Sequence, residues 1–186
     1  MADHERSKWD KRYQKSNPST EPSTFLSFAK SFLPSSGKAI DIAGGNGRNG
    51  IWLAQQGLET TVTDISSVGL QHAQELAKEK QVQLQTLCLD FDTTPFPQGP
   101  WDLILNTYFL SRPLFRVYPL HLAQGGLLLF CHPTKSNLQY HSKPSERYLL
   151  EDGELIGHFE GMDILHYSEA LQDNGRYEAR LIAKKS

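Results

Sequence analysis

A run of glycines directly after a short apolar segment is the feature that most constrains how this chain can fold. Residues 38–43 form the apolar segment, and the glycines fall within residues 44–50. The spacing Gly45-x-Gly47-x-x-Gly50 is typical of a strand, a tight turn and a helix that bring the backbone close to a nucleotide. Glycine suits such a turn because it adopts positive φ and leaves room for a ligand. The pattern predicts this unit over residues 38–57, although a plain glycine turn would show the same residues.

Two acidic residues near this loop narrow the choice of ligand. Asp64 ends a second, β-branched segment 17 positions after Gly47, where a carboxylate can accept the hydroxyls of a ribose or simply begin the next helix. Asp41 lies inside the apolar segment, and a charge buried there is costly unless a cationic group faces it. The ammonium of a methionine tail would do so, whereas a pyrophosphate would be repelled. The sequence therefore favours S-adenosylmethionine over NAD(P) as the cofactor.

The rest of the chain predicts strands that alternate with helices, as in a parallel sheet covered on both faces. Pro119 is expected to break or shorten the helix before the fifth strand. A turn at Asn174-Gly175 joins the last two strands, which predicts an antiparallel edge. The expected fold is a three-layer α/β/α domain with its ligand site at the carboxyl ends of the strands. The predicted strands cover residues 38–43, 60–63, 82–89, 101–106, 127–131, 162–167 and 177–184.

Composition excludes several classes of protein. The 186 residues suit one domain, and a net charge of -2 without a long basic run argues against nucleic acid as a partner. No segment approaches the roughly 20 apolar residues of a membrane helix, and the polar N-terminus lacks the apolar part of a secretory signal. Cys88 and Cys131 lie in apolar segments and are expected to be buried, reduced thiols, which favours a cytoplasmic location. The histidines show no metal-ligand spacing, so no metal is expected.

The glycine loop also resembles a known family. The run 41–49, Asp-Ile-Ala-Gly-Gly-Asn-Gly-Arg-Asn, resembles the first motif of class I methyltransferases. With Trp52-Leu53-Ala54 and Gly57 after it, it is similar to small microbial methyltransferases related to the tellurite-resistance methyltransferase and, more distantly, to the thiopurine methyltransferases. Two further segments, Trp9-Asp10-x-Arg12-Tyr13 and residues 153–161, also fit that group.

The resemblance implies a Rossmann-like methyltransferase fold, with a mostly parallel seven-stranded sheet and an antiparallel C-terminal edge strand. It implies a single domain over residues 1–186, with a helical lid at 1–36 and a core at 37–186. Position 44 is glycine where many relatives carry cysteine or another small residue, a difference that should be tolerated.

The same resemblance implies a role for individual residues in binding S-adenosylmethionine. The methionine portion is expected to bind to Asp41 and to the backbone of Gly44, Gly45 and Gly47. Arg48 and Asn49 are expected to lie near its carboxylate. Asp64 is expected to bind the ribose, and Ile65, Asp90 and Phe91 are expected to contact the adenine. Asn106 and Thr107 are expected to border the methyl group. Trp9 and Tyr13 are expected to form the lid.

Residues that follow the later strands are candidates for the acceptor side. Arg112 would orient an anionic substrate, or it is an ordinary surface arginine near a helix start. His132 ends the fifth strand and would take a proton from the nucleophile with an ordinary pKa near 6.5, or it is bonded to the backbone. The polar loop with Tyr140, His141, Arg147 and Tyr148 is a candidate cover for the pocket.

These observations predict an enzyme that transfers a methyl group by in-line displacement to a small molecule. A soft nucleophile such as a thiolate or a chalcogen is favoured, since it needs no dedicated base once it is deprotonated. An S-adenosylmethionine-binding sensor or partner protein without catalysis is the alternative, and an NAD(P)-dependent oxidoreductase is a further one. A monomer or a homodimer is expected, with no membrane partner.

Overall fold

A seven-stranded sheet in the order β3-β2-β1-β4-β5-β7-β6 forms the centre of the computed structural model, which describes residues 2–15 and 18–186. β1 pairs in parallel with β2 on one side and with β4 on the other. The strand order therefore reverses between β1 and β4, and a crevice opens there at the carboxyl ends of the strands. The strands are β1 (Lys38–Ile42), β2 (Glu59–Asp64), β3 (Gln85–Cys88), β4 (Trp101–Thr107), β5 (Leu122–Pro133), β6 (Asp163–Leu171) and β7 (Tyr177–Lys184).

Helices cover both faces of the sheet, because the central strands are apolar on both sides. In β4, Leu103 and Leu105 belong to one core, while Ile104 belongs to the other. The core that contains Leu103 and Leu105 also holds Phe25 and Leu26, which are fully buried. This arrangement is the three-layer α/β/α domain that the sequence predicts. The helices are α1 (Ala2–Lys15), α2 (Thr24–Ala29), α3 (Arg48–Gln55), α4 (Ser67–Glu79), α5 (Tyr118–His121) and α6 (Glu154–Gly157).

The C-terminal strands confirm the predicted mostly parallel sheet with an antiparallel strand. β7 is the antiparallel strand, and it pairs with β5 on one side and with β6 on the other. It therefore lies one position inside the edge, which β6 forms. Because both faces of β7 are covered, Glu178 and Arg180 are 0% and 8% exposed, although the alternating sequence predicts a half-exposed strand.

Other elements differ from expectation where the sheet ends or the chain turns. β3 covers only residues 85–88 and lies at the edge, so that Cys88 is exposed, contrary to the expectation of a buried thiol. Cys131 is buried as expected. The helix before β5 is broken, as Pro119 predicts, into a 3₁₀ turn at Arg112–Arg116 and the four-residue α5.

The N-terminal helices have two different environments. α1 packs on α4, whereas α2 inserts Phe25, Leu26 and Ala29 into a core and contributes to the folded body. Residues 24–29 thus pack as part of the core, and a lid formed by the N-terminal region stays a prediction. Within the described part of the chain, no helix has the length and apolarity that crossing a membrane requires.

Leu105→Ala is expected to lower the free energy of unfolding by about 2–5 kcal/mol, because the fully buried side chain leaves a cavity in the central strand. Urea unfolding followed by circular dichroism measures the change. Leu120→Ala is the matched control, since Leu120 is 77% exposed and its truncation should change stability by less than about 0.5 kcal/mol. Equal losses in the two variants would contradict the described core.

Candidate active site

A cleft of about 960 Å³ opens at the carboxyl ends of β1, β4 and β5, where the strand order reverses. A volume of this size accommodates a cofactor together with a small substrate. Its floor and walls come from separate parts of the chain. They are the glycine loop (43, 44, 46, 48 and 49), the ends of β4 (107 and 108) and β5 (132 and 133), helix α1 with residues 18 and 19, and the loops that contribute residues 137, 141, 143, 144, 174 and 176.

The glycine loop folds through three residues with positive φ. These are Ala43 at 52°, Gly45 at 58° and Gly47 at 74°, and Gly47 directly precedes α3. Ala43 is unusual because residues other than glycine, asparagine and aspartate rarely adopt the left-handed region. A Cβ on Gly44 would lie 2.5 Å from the Asp41 carboxylate, so the loop passes directly over that acid. The loop is thus a backbone surface without side chains at its closest points.

Asp41 lies beneath this loop and does not line the open cleft. The sequence analysis instead expects this acid to face the cofactor directly. It is 0% exposed, and neither carboxylate oxygen makes a hydrogen bond in the described chain. Burial raises the pKa of Asp41 to about 7, an effect that the nearby N–H of Gly50 and the charge of Arg48 only partly offset. A buried acid without a partner is rare in folded proteins and requires a functional or structural reason.

Asp64 joins the glycine loop to the turn that begins α4. One carboxylate oxygen accepts the N–H of Gly45 at 2.9 Å, and the other accepts the N–H of Ser66 at 2.8 Å. Burial nevertheless raises the pKa of Asp64 to about 6. Both oxygens are therefore already engaged, one by the loop and the other by the turn before α4, and binding of a ribose by Asp64 stays a prediction.

Helix α1 lies over the glycine loop and the start of α4, as the expected lid would. The Tyr13 hydroxyl occupies the position that a Cβ on Gly45 would take, and the rings of Trp9 and Tyr13 lie side by side with centroids 6.2 Å apart. Asp10 accepts hydrogen bonds from the Ser66 hydroxyl at 2.5 Å and from the backbone of α4. These contacts place Trp9 and Tyr13 in the wall of the cleft.

The segment 19–23 crosses the loop and is tied to it by three polar side chains. Asn46 donates to the carbonyl of Ser19 at 2.9 Å, and Arg48 donates to a carbonyl of the segment at 3.0 Å. Asn49 accepts a backbone N–H of the segment at 2.9 Å and donates to the Thr107 hydroxyl at 2.8 Å. The amide of Asn49 is therefore occupied by the protein, which argues against its expected direct contact with a cofactor.

The residues expected around the adenine do not line this cleft. Phe91 packs against Phe96 and Phe109, with ring centroids 5.8 and 5.9 Å away. Asp90 accepts the N–H of Asp92 and closes a local turn. Ile65 follows β2 and is half-buried. The structure thus leaves the roles of Ile65, Asp90 and Phe91 as predictions.

The two residues at the end of β4 point to different environments. Thr107 lines the cleft, but Asn106 is fully buried and donates to the Tyr118 hydroxyl at 2.7 Å within the apolar core. Side chains alternate between the faces of a strand, so only one of the two neighbours can face the cleft. Asn106 therefore does not line the cleft, contrary to expectation, and a place for Thr107 beside the methyl group stays a prediction.

Arg112 does not lie in the cleft, which corrects its expected role in orienting a substrate. Its guanidinium forms a bidentate ion pair with Glu154 at 2.6 and 2.8 Å and donates to the carbonyl of Leu149 at 3.2 Å. It lies in a separate surface depression with Lys135 and Glu146. Arg112 thus ties the loop before α6 to the turn after β4.

His132 lines the cleft, but its protonation differs from expectation. Its Nε2 lies 2.8 Å from the carbonyl of Tyr148, and a carbonyl only accepts, so Nε2 carries the proton. Nδ1 is then the unprotonated nitrogen, and it is buried without a partner. Burial lowers the pKa of His132 to about 4, so the ordinary value near 6.5 is wrong and the ring is neutral at pH 7.

A buried polar network behind the cleft was missed by the sequence. Tyr108 adopts the left-handed region at φ 63° and donates to Glu178 at 2.9 Å. Glu178 also accepts from the thiol of Cys131 and from Arg180, both at 3.2 Å. The placement of β7 inside the sheet buries this carboxylate, and the charge of Arg180 balances it. The sequence of β7 did not indicate that Glu178 is buried, because its alternating polar residues are typical of a strand with one solvent-exposed face.

Comparisons with known proteins agree with this geometry. Residues 39–117 match the protein family described as "Methyltransferase domain", and no curated protein matches the sequence. TehB from Haemophilus influenzae is 19% identical with a TM-score of 0.72, and the alignment covers 97% of this chain and 67% of that one. A SAM dependent methyltransferase from Aquifex aeolicus is 17% identical with a TM-score of 0.71, over 97% of this chain and 98% of that one.

A third similar structure is described as the conversion of a disulfide bond into a thioacetal group during echinomycin biosynthesis. It is 15% identical with a TM-score of 0.74, and the alignment covers 98% of this chain and 93% of that one. The chain therefore has the class I methyltransferase fold. The domain match and these neighbours imply S-adenosylmethionine as the cofactor.

Asp41→Asn is expected to make stability less dependent on pH. Because burial raises the pKa of Asp41 from 3.8 to about 7, the folded chain holds a proton there that the unfolded chain releases between these values. The wild type therefore loses stability from this group as the pH rises through that window, and the variant should not. Urea unfolding at several pH values across the window measures the difference.

Asp173→Asn, which changes an exposed carboxyl, is the matched control and should retain the wild-type pH dependence. The raised pKa of Asp64 changes the pH dependence of stability in the same direction in the wild type and in both variants. Its contribution therefore largely cancels when they are compared. A wild-type slope in Asp41→Asn would show that this carboxyl is not an unpaired buried acid.

Proposed function

From its methyltransferase fold and domain match, we propose that this chain transfers a methyl group from S-adenosylmethionine to a small-molecule acceptor with a soft nucleophile. The observation that carries the proposal is the unpartnered Asp41 carboxylate beneath a loop of bare backbone. A cation bound above that loop would stabilise the ionised form of the acid, and a diphosphate would oppose it. For location and assembly, a cytoplasmic monomer or homodimer stays a prediction.

The residues at the loop fit the amino-acid end of this cofactor. A Cβ at Gly44 would collide with Asp41 and one at Gly45 would collide with Tyr13, so both positions require glycine, and Gly44 lines the cleft with its backbone. Asp41 supplies negative charge below the loop, and Arg48 supplies positive charge in the cleft wall. This pairing of charges suits a zwitterion that carries one ammonium and one carboxylate. When bound, the cofactor supplies a methyl group activated by the positive charge of its sulfonium.

Helix α1 provides the means to exclude water from the reaction. Trp9 and Tyr13 already lie in the cleft wall, and Asp10 fixes the helix to the beginning of α4. Methyl transfer from a charged sulfonium proceeds by alignment, so the enzyme gains most by holding the two reactants in line in a dry site. We infer that α1 acts as the cover for that step.

His132 supports a nucleophile that ionises without a histidine base. A base with a pKa near 4 is too weak to take a proton from an alcohol or an amine. Its unprotonated nitrogen, Nδ1, is also buried, so it does not face a ligand in the open cleft. A thiol fits this wall, because thiols ionise near neutral pH. The neighbour described by a disulfide-to-thioacetal conversion concerns chemistry at sulfur, which is compatible with this choice.

Calorimetric titration should show binding of S-adenosylmethionine and S-adenosylhomocysteine and no binding of NAD. Asp41→Asn is expected to weaken the affinity for S-adenosylmethionine about tenfold or more, since the charge below the loop is lost. Asp173→Asn should bind like the wild type. Binding of NAD without S-adenosylmethionine would overturn the proposal, and tight cofactor binding with no methyl transfer to any thiol would favour the sensor instead.

The rate of methyl transfer to a thiol is expected to rise with pH up to the pKa of the acceptor, about 8.5 for an ordinary thiol, because the thiolate attacks. His132 adds no step near pH 6.5, since burial lowers its pKa to about 4. Release of S-adenosylhomocysteine, recorded as kcat/KM against pH, measures the profile. A more acidic thiol should move the profile to lower pH by the difference in pKa. A fixed step near pH 6.5 for both thiols would instead identify a histidine base.

A further inference from the structure

We propose that the acceptor carries an anionic group, which Lys143 and Arg176 bind at the end of the cleft away from the glycine loop; this inference rests on the proposed methyl transfer. Among the described residues that line the cleft, four are cationic and none is an aspartate or a glutamate. The whole chain has 19 basic and 21 acidic residues, so composition does not account for this excess. Concave surfaces of one sign concentrate ligands of the opposite sign.

Three buried carboxylates behind the lining of the cleft do not cancel this charge. Asp41 and Asp64 lie beneath the glycine loop, where the cofactor is expected, and Arg48 lies on that loop as well. Glu178 lies behind Tyr108, and its charge is balanced by Arg180 at 3.2 Å. Arg12 lies on α1 with its guanidinium 4.9 Å from the centroid of the Trp9 ring. The two other cations, Lys143 and Arg176, therefore belong to the opposite wall.

That wall is built from two segments that are in direct contact. His141 lies with its Nε2 2.7 Å from the carbonyl of Gly175, and Tyr140 stacks on Tyr177 with ring centroids 6.3 Å apart at 5°. Lys143 lies two residues after His141 in the first segment, and Arg176 directly follows Gly175 in the second. The two cations are thus carried by neighbouring segments of one wall.

Arg176 is placed at the point where the acceptor is expected. Its guanidinium lies 4.9 Å from the centroid of the Tyr108 ring, and Tyr108 follows Thr107 at the end of β4. Stacking on an aromatic ring holds the guanidinium without using its hydrogen-bond donors. Neither Arg176 nor Lys143 forms an ion pair with any carboxylate of the described chain. Both retain donors for an oxyanion.

The same field would assist the proposed chemistry. A positive potential in the cleft favours the ionised form of a thiol, which lowers its pKa. This effect supplies what His132 cannot, since the neutral ring is a poor base. Recognition of the anionic group and activation of the nucleophile then have one electrostatic origin.

Three thiols of similar size and different charge test the inference: 3-mercaptopropionate, its neutral amide 3-mercaptopropionamide, and the cation cysteamine. Binding of each thiol to the protein saturated with S-adenosylhomocysteine is measured by NMR titration, independently of turnover. The carboxylate is expected to bind about tenfold more tightly than the amide, and cysteamine more weakly than either. Added salt should reduce the preference, since screening weakens charge attraction.

Arg176→Gln and Lys143→Gln are each expected to reduce the preference for the carboxylate while the affinity for the amide stays the same. Arg147→Gln is the matched control, because Arg147 is also exposed and lies 4.6 Å from a tyrosine ring, that of Tyr148, but does not line the cleft. It should retain the wild-type preference. Circular dichroism confirms that the variants are folded.

The outcomes separate the two proposals. If S-adenosylhomocysteine does not bind, the proposed methyl transfer is wrong. If it binds and the carboxylate has no advantage over the amide, or the advantage survives in both Arg176→Gln and Lys143→Gln, the anionic acceptor is wrong while methyl transfer stands. Absence of detectable binding of the carboxylate at millimolar concentration also overturns the inference.

Discussion

A buried carboxylate without a hydrogen-bond partner is the constraint on which the candidate site depends. Asp41 lies near the carboxyl end of β1, and the glycine loop must pass within van der Waals distance above it. A side chain at Gly44 would collide with the acid, and one at Gly50 would collide with Val62 of the neighbouring strand. The loop is therefore bare because the acid and the strand below it leave no room. The absence of side chains at these positions also allows a ligand to approach the backbone.

The elements around the loop hold it in a single arrangement. Asp64 binds it from below, the segment 19–23 crosses it from above, and α1 covers its outer part. Most of these links join positions that are far apart in the chain, so the cleft forms only when the N-terminal region docks on the sheet. A site made in this way combines a rigid sheet edge with a cover that is attached through a few polar contacts.

The sequence predicted the fold and the glycine loop, but it assigned several individual side chains wrongly. The parallel sheet follows from apolar strands and from glycines at fixed spacing, which are local signals. Asn106 and Thr107 are adjacent in the sequence, and only the pleat decides which of the two faces the cleft. Arg112 is a polar residue at the right edge of the sheet, and its partner Glu154, 42 positions away, could not be read from spacing. Glu178 shows the same limit, since its burial depends on the strand order and not on the pattern of β7.

The left-handed backbone at Tyr108 restricts how this cleft can change during evolution. Glycine, asparagine and aspartate tolerate such a conformation, and a bulky side chain there needs support from its surroundings. The hydrogen bond to Glu178 gives that support to tyrosine in particular. Most single substitutions at this position would lose the bond and retain the strain. Lys143 and Arg176 are exposed residues in the outer loops, outside the left-handed region and without an ion pair among the described residues. Substitutions at the rim of the cleft should therefore be tolerated more easily than substitutions at the end of β4.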